Sequence, residues 1–262
     1  VRALVITGDG ARGAFQAGVL GRLPFVPDAV YGTSCGAINA TLFSYCTARE
    51  LQAYWQEVDG IFGVYRCNWL AALWRPGVFH SDPIERKALE LVKRGPRCRV
   101  VVATTNLVTG ETLYVDNRDP NFPAAVAASA TIPGLATTDH PLSDGGLRVM
   151  APITRALDDG HRDIDLVMSR PWGPVLPGCW EPRFPWAASH AAFRAIDIML
   201  HAIGWYNIQE ALPRCRSLTV WAPERPLDIG LLDFSPVKIA EAMEAGRACL
   251  PLVIGLGDRK NI

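Results

Sequence analysis

Twice in its first fifty residues the chain runs from a short apolar stretch through glycine into a helical pattern. Val1–Thr7 is apolar, rich in β-branched residues and ends at Gly8. Ala11–Leu23 follows with Phe15, Val19, Leu20 and Leu23 at helical spacing. Ala29–Tyr31 is a second short strand ending at Gly32, and Ala37–Cys46 resumes a helical pattern. Successive strand–helix units require crossover connections, so the chain is predicted to be α/β with a mostly parallel sheet. Further strands are expected at Arg99–Thr105, Thr112–Asp116, Ile164–Ser169 and Ser217–Trp221. Helices are expected at Thr47–Glu57, Asp82–Arg94, Phe122–Ala130, Trp186–Ala211 and Val237–Val253. Gly60–His80 and Pro171–Pro185 read as irregular; the second holds five prolines, which rules out a regular helix or central strand. No linker marks a boundary, so one domain over 1–262 is expected, with a Pro/Trp-rich loop at 170–190 and a less distinctive helical part at 187–262.

Composition removes several function classes. Lys+Arg and Asp+Glu are both 26, so a broad electrostatic footprint for nucleic acid is not expected. Seven cysteines without a C-x-x-C pair or a Cys/His cluster argue against zinc and against a disulfide framework, and no metal or cofactor is expected. The apolar run at the start is too short for a signal peptide, and the longest uncharged stretch, Ala29–Ala48, is too polar for a membrane span. A cytoplasmic protein with peripheral membrane contact is the resulting expectation.

Three glycine-bounded segments carry chemistry. Gly8-Asp9-Gly10-Ala11-Arg12-Gly13 lies between a strand and a helix, where backbone N–H groups and the helix N-terminus favour an anion. By itself it is open to three readings: an oxyanion loop, a tight turn, or a dinucleotide fingerprint with Asp28 as ribose acceptor. Gly32-Thr33-Ser34-Cys35-Gly36 is G-x-S-x-G at a strand-to-helix junction, the pattern of an elbow that exposes a nucleophilic serine. A helix N-cap would explain Ser34 but not both glycines. Cys35 is assigned to packing. Leu142-Ser143-Asp144-Gly145-Gly146 ends an extended segment in a carboxylate and two glycines, which in isolation is an ordinary Asp-Gly turn. None of the five histidines (80, 140, 161, 190, 201) sits in a comparable turn; His140, four residues before Asp144, is the rival base.

Together these segments resemble the patatin-like phospholipase family. The resemblance is carried by LVITGDGARGAFQAGVL (4–20), GTSCGAINA (32–40), ASATIPG (128–134), SDGG (143–146) and VVATTNLVTGET (101–112), and spans about 2–170. It implies an α/β/α sandwich and a Ser–Asp dyad in place of a triad. Ser34 would be the nucleophile and Asp144 the general base; the amides of Gly8, Asp9, Gly10 and Ala11 would hold the oxyanion. Arg12 would fix this loop or meet an anionic head group. The implied substrates are fatty-acyl esters of phospholipids or lysophospholipids. The family pattern has three consecutive glycines in the loop, and here Asp9 replaces the middle one. A carboxylate there could strain the turn, and if aimed inward at 5 Å it would oppose an oxyanion by about 3 kcal/mol at an effective dielectric of 20. The alternative expectation is therefore a weak or silent member that binds lipid or protein. The Trp172–Trp186 and Phe62–Trp74 stretches are the candidate membrane-facing surfaces, and the helical run at 186–211 is expected to serve as core or a subunit contact.

Overall fold

The computed structural model describes residues 2–67, 77–138, 140–176 and 187–255, with backbone alone for 187–190. The strand–helix alternation read from the first fifty residues is present. The chain begins β1 (Arg2–Ile6), α1 (Gly13–Leu20), β2 (Ala29–Thr33), α2 (Cys35–Tyr45), α3 (Ala48–Gln56), β3 (Arg66–Cys67) and β4 (Phe79–His80). It continues through α4 (Asp82–Leu91), β5 (Arg99–Asn106), β6 (Thr112–Asp116), α5 (Phe122–Ser129), β7 (Ala136–Thr137), β8 (Leu142–Asp144), α6 (Ile153–Asp158) and β9 (Asp163–Val167). It ends with α7 (Ala187–Ala211), β10 (Ser217–Trp221), α8 (Pro236–Ala248) and β11 (Leu252–Ile254).

The main sheet has the order β11-β10-β9-β1-β2-β5-β6. From β10 to β5 all neighbours are parallel, while β11, β6 and β8 add antiparallel edges. Strands buried on both faces read as unbroken apolar runs rather than alternating ones. Leu4 and Ile6 enter a core cluster with α1, α2, α5 and α8, whereas Ala3 and Val5 enter the cluster formed with α6 and the end of α7. The layering is thus helices, sheet, helices. From β1 the chain moves to β2 and β5 on one side and later returns to β9 on the other. The carboxyl ends of β9 and β1 therefore flank the switch point at which α/β sheets bind ligands, with the carboxyl end of β2 next to β1.

Several expectations shift. The first helix opens with a 3-10 turn at Gly10–Arg12. The last predicted helix stops at Ala248, and Pro251 precedes the strand β11. Gly60–His80 holds the short strands β3 and β4, which join β7 in a second small sheet. α7 is half core and half surface: Ile208 is buried, but Phe193 and Met199 are exposed, so of the two roles expected for this run, core or subunit contact, the core one does not hold for them. Most of the Trp172–Trp186 stretch, and Phe62–Trp74 beyond Cys67, lie outside the described residues. Among the described residues, no helix is long and apolar enough to cross a membrane, and no group of three or more His, Cys, Asp or Glu could hold a metal ion.

Candidate active site

β2 ends in an elbow. Ser34 has φ 56° and ψ −130°, and among the described residues it is the only non-glycine with positive φ. Such a conformation costs a serine on the order of 1–3 kcal/mol, and the surroundings must impose it. The flanking glycines are required by close approach. A Cβ on Gly32 would stand 2.3 Å from the Gly36 carbonyl oxygen, and one on Gly36 would stand 2.4 Å from that of Ile6. The Ser34 hydroxyl does not cap α2, so the N-cap explanation does not hold. The Ser34 amide instead donates to Ser129 Oγ (2.8 Å), which donates to the Ala103 carbonyl (2.6 Å). Ser129 anchors the elbow from the end of α5, a part that sequence reasoning did not assign to it.

The register along β5 brings Asp144 to Ser34. Thr33 pairs with Ala103, and Asp144 pairs with the next residue, Thr104. β8 thus takes up the pairing edge of β5 where β2 leaves it, from the opposite direction. The Ser34 hydroxyl donates to Asp144 Oδ2 at 2.7 Å, and the Gly146 amide donates to Oδ1 at 2.7 Å. Gly145 must lack a side chain, because a Cβ would lie 2.3 Å from the Ala103 carbonyl oxygen. Asp144 is buried, and burial pushes its carboxyl up to about 6 against the opposing pull of the two hydrogen bonds.

The loop after β1 lies against this pair: a Cβ on Gly8 would be 2.7 Å from Ser34 Cβ. Of the four amides expected to face an oxyanion, two are committed elsewhere. Gly8 donates to the Met150 carbonyl (3.2 Å) and Ala11 to that of Leu231 (2.9 Å). The other two, Asp9 and Gly10, face Cys35 Sγ, with the Asp9 amide at 3.1 Å. A thiol sulfur is a weak acceptor. Burial, reinforced by Asp9, pushes the Cys35 thiol up, so it stays protonated, in keeping with a packing role.

Asp9 does not strain the turn. Its φ is −176°, ordinary extended backbone, and the positive φ of 57° falls on Gly10. Its carboxylate is engaged through Oδ1, while Oδ2 is buried with no hydrogen-bond partner among the described residues. Asp9 Oδ1 accepts from Arg12 Nη1 (3.0 Å) and from Arg170 Nε and Nη2 (3.1 and 2.6 Å). Arg12 also donates to both carboxylate oxygens of Asp197 (2.9 and 3.0 Å) and to the Ile229 carbonyl (3.0 Å). These contacts tie Arg12 to Asp9 of the loop and to α7. Burial works against the Arg12 charge, but Asp9 and Asp197 more than offset it, and its pKa is raised. Arg170 and Asp197 were not singled out from the sequence. The available signal for Asp197 was a lone acid among apolar residues of a helix.

The alternatives for these segments fail on position. Asp28 precedes β2 and accepts from the Arg2 amide (2.7 Å). It sits at the opposite end of a five-residue strand, roughly 16 Å along the chain from the elbow, where no nucleotide on the Gly8–Gly13 loop would meet it. His140 is exposed, and its amide donates to Thr138 Oγ1. His201 pairs with the Gly173 carbonyl, His161 packs edge-on against Tyr31, and His80 pairs with Asp82. The side chain of His190 lies outside the described residues.

Beside Ser34 is a mostly apolar cavity of about 20 Å³, whose walls include Gly10, Ile38, Trp55, Tyr65, Leu232 and Phe234. That is room for about one water. A larger cavity of about 530 Å³ lies between 222–229 and α8, away from the elbow.

A protein-family model described as "Patatin-like phospholipase" matches residues 4–157. A search of curated proteins returned no significant match. Among solved structures, the crystal structure of VipD from Legionella pneumophila aligns with a TM-score of 0.40 at 12% identity, covering 97% of this chain and 68% of that one.

Proposed function

Because the chain belongs to the patatin-like phospholipase family, a family of lipid acyl hydrolases, we propose that it cleaves fatty-acyl esters of phospholipids or lysophospholipids with a Ser34–Asp144 dyad. The observation that carries this reading is the 2.7 Å hydrogen bond from the Ser34 hydroxyl to Asp144 Oδ2 at a strained elbow. Ser34 Oγ attacks the ester carbonyl while Asp144 takes its proton. The amides of Asp9 and Gly10 leave the Cys35 sulfur and donate to the developing oxyanion. One such donor is typically worth about 2.7–4 kcal/mol in the transition state. Asp144 then returns the proton to the departing alkoxide, leaving an acyl-Ser34. Water, deprotonated by the same carboxylate, attacks the acyl group; the acyl–Oγ bond breaks, Asp144 returns the proton to Ser34 Oγ, and the fatty acid is released. The apolar cavity receives the start of the acyl chain; at its present size, longer chains require its walls to separate.

A fluorophosphonate probe and p-nitrophenyl butyrate test the reading. The wild-type protein is expected to be labelled and to hydrolyse the ester, while Ser34→Ala abolishes both and Asp144→Asn abolishes turnover. Labelling that survives Ser34→Ala, or its absence in the wild type, refutes it. The second of these outcomes would favour the silent lipid- or protein-binding alternative.

A further inference from the structure

A carboxylate in the loop that must stabilise negative charge needs an explanation. Asp9 and Asp197 on α7 stand with Arg12 and Arg170 in a cluster of two carboxylates and two guanidiniums, in which Asp9 Oδ1 is shared by both arginines and Asp9 Oδ2 is buried without a partner among the described residues. Arg170 lies three residues beyond β9, at the carboxyl end of the strand beside β1, and is 5% exposed. Its fork reaches Asp9 Oδ1 through Nε and Nη2, Asp197 Oδ1 through Nη2 (3.0 Å) and the Asp197 carbonyl through Nη1 (2.6 Å). Arg12 is already shared among Asp9, Asp197 and the Ile229 carbonyl, so it makes a single contact to Asp9. Without Arg170 the set would carry one net negative charge, in a buried region where screening is weak.

We propose that Arg170 is the positioning residue that makes Asp9 compatible with catalysis, holding its carboxylate out of the oxyanion site and cancelling its charge there. The inference rests on the Ser34–Asp144 reading above. It assigns Arg170 no contact with substrate. Its effect falls on the charge that develops only in the transition state, so kcat falls while KM stays. It also assigns Arg170 and Asp9 to one unit, so the need for one disappears when the other is removed.

The test is a double-mutant cycle in the whole protein, read by steady-state hydrolysis of p-nitrophenyl butyrate, fluorophosphonate labelling and thermal denaturation. Arg170→Gln is expected to lower kcat about 100-fold with KM changed less than threefold. Asp9→Gly combined with Arg170→Gln restores the family glycine and leaves a neutral Arg12–Asp197 pair, and is expected to recover activity to within tenfold of the wild type. Should Arg170→Gln fail to fold, Arg170→Lys supplies the single variant. It keeps the charge but not the fork, and is expected to lose roughly tenfold, again recovered by Asp9→Gly. A double variant that folds but is as slow as the single one overturns the inference, as does full activity in Arg170→Gln. If the wild type shows no Ser34-dependent labelling, the hydrolase reading and this inference fall together; labelling without rescue removes this inference alone.

Discussion

Asp144→Asn should abolish turnover yet make the protein more stable at alkaline pH. The carboxyl is pushed from its ordinary 3.8 to about 6 by burial, so it ionises less readily folded than unfolded. Between those pH values the folded chain holds a proton that the unfolded chain has released. The associated stability is therefore fully present below pH 3.8 and is lost as pH rises through about 6. The gap from 3.8 to about 6 corresponds to about 3 kcal/mol at pH 8, the free energy spent on keeping an ionised base in a dry site. Asparagine is neutral throughout and keeps the geometry: Oδ1 can accept from the Gly146 amide, and Nδ2 can donate to Ser34 Oγ, the reverse of the native direction. The variant escapes the alkaline penalty and gains nothing in acid. For a chain of this size its Tm at pH 8 should exceed the wild type's by roughly 5–10 °C. Calorimetric scans from pH 4 to 8 should show the two curves converging by pH 4. The wild-type kcat/KM should rise through an apparent pKa near 6 and level off above it. A Tm difference that does not vary with pH, or a rate profile flat from 5 to 7, would refute the assignment of Asp144 as a buried base.

Three further outcomes follow from the geometry. Ser34→Gly and Ser34→Ala should both lose hydrolysis, but only the glycine variant relieves the 56° φ, so urea denaturation should find it more stable than the alanine variant by about 1 kcal/mol. Gly32→Ala and Gly36→Ala each push a methyl group into a backbone carbonyl that cannot yield, and should lower stability by more than about 3 kcal/mol, read as lost soluble yield or a collapsed Tm. Ile38→Ala removes three carbons from the wall of the cavity beside Ser34. It should raise the ratio of kcat/KM for p-nitrophenyl octanoate over butyrate about tenfold, at about 2–5 kcal/mol in stability; an unchanged ratio would place the acyl chain elsewhere.

What the sequence made legible was whatever depends on local pattern. The strand–glycine–helix units near the start needed no long-range knowledge, and neither did the glycines around Ser34 and Asp144. Contacts that depend on where distant segments meet were not legible. Arg170 follows a strand of ordinary composition, and it reaches Asp9 because that strand lies beside β1. Asp197 looked like one acid in an apolar helix until Arg12 reached it across 185 positions. The same blindness affected the loop amides. Glycine content marks an anion-binding loop, but only the positions of Met150 and Leu231 decide that two of its four N–H groups are already engaged. β8 was legible only as a short extended segment ending at Asp144, because three residues carry no periodicity to place it in the sheet. It exists because β5 outruns β2 and leaves its edge open, and that is also what delivers Asp144.

The absence of an imidazole from this pairing has a physical consequence. In the proposed dyad a single carboxyl group must accept a proton from a hydroxyl and then return it to an alkoxide leaving group, and these demands pull its pKa in opposite directions. Raising it strengthens the base and weakens the acid; near 6 it remains ionised at neutral pH while lying closer to the groups it serves than a solvated carboxylate would. Burial raises the group, and the Ser34 hydroxyl and the Gly146 amide pull it back. The two glycines after Asp144 therefore tune the base as well as turn the chain: Gly145 lets the carboxylate descend into the sheet edge, where water is excluded, and Gly146 supplies the donor that keeps it ionised there.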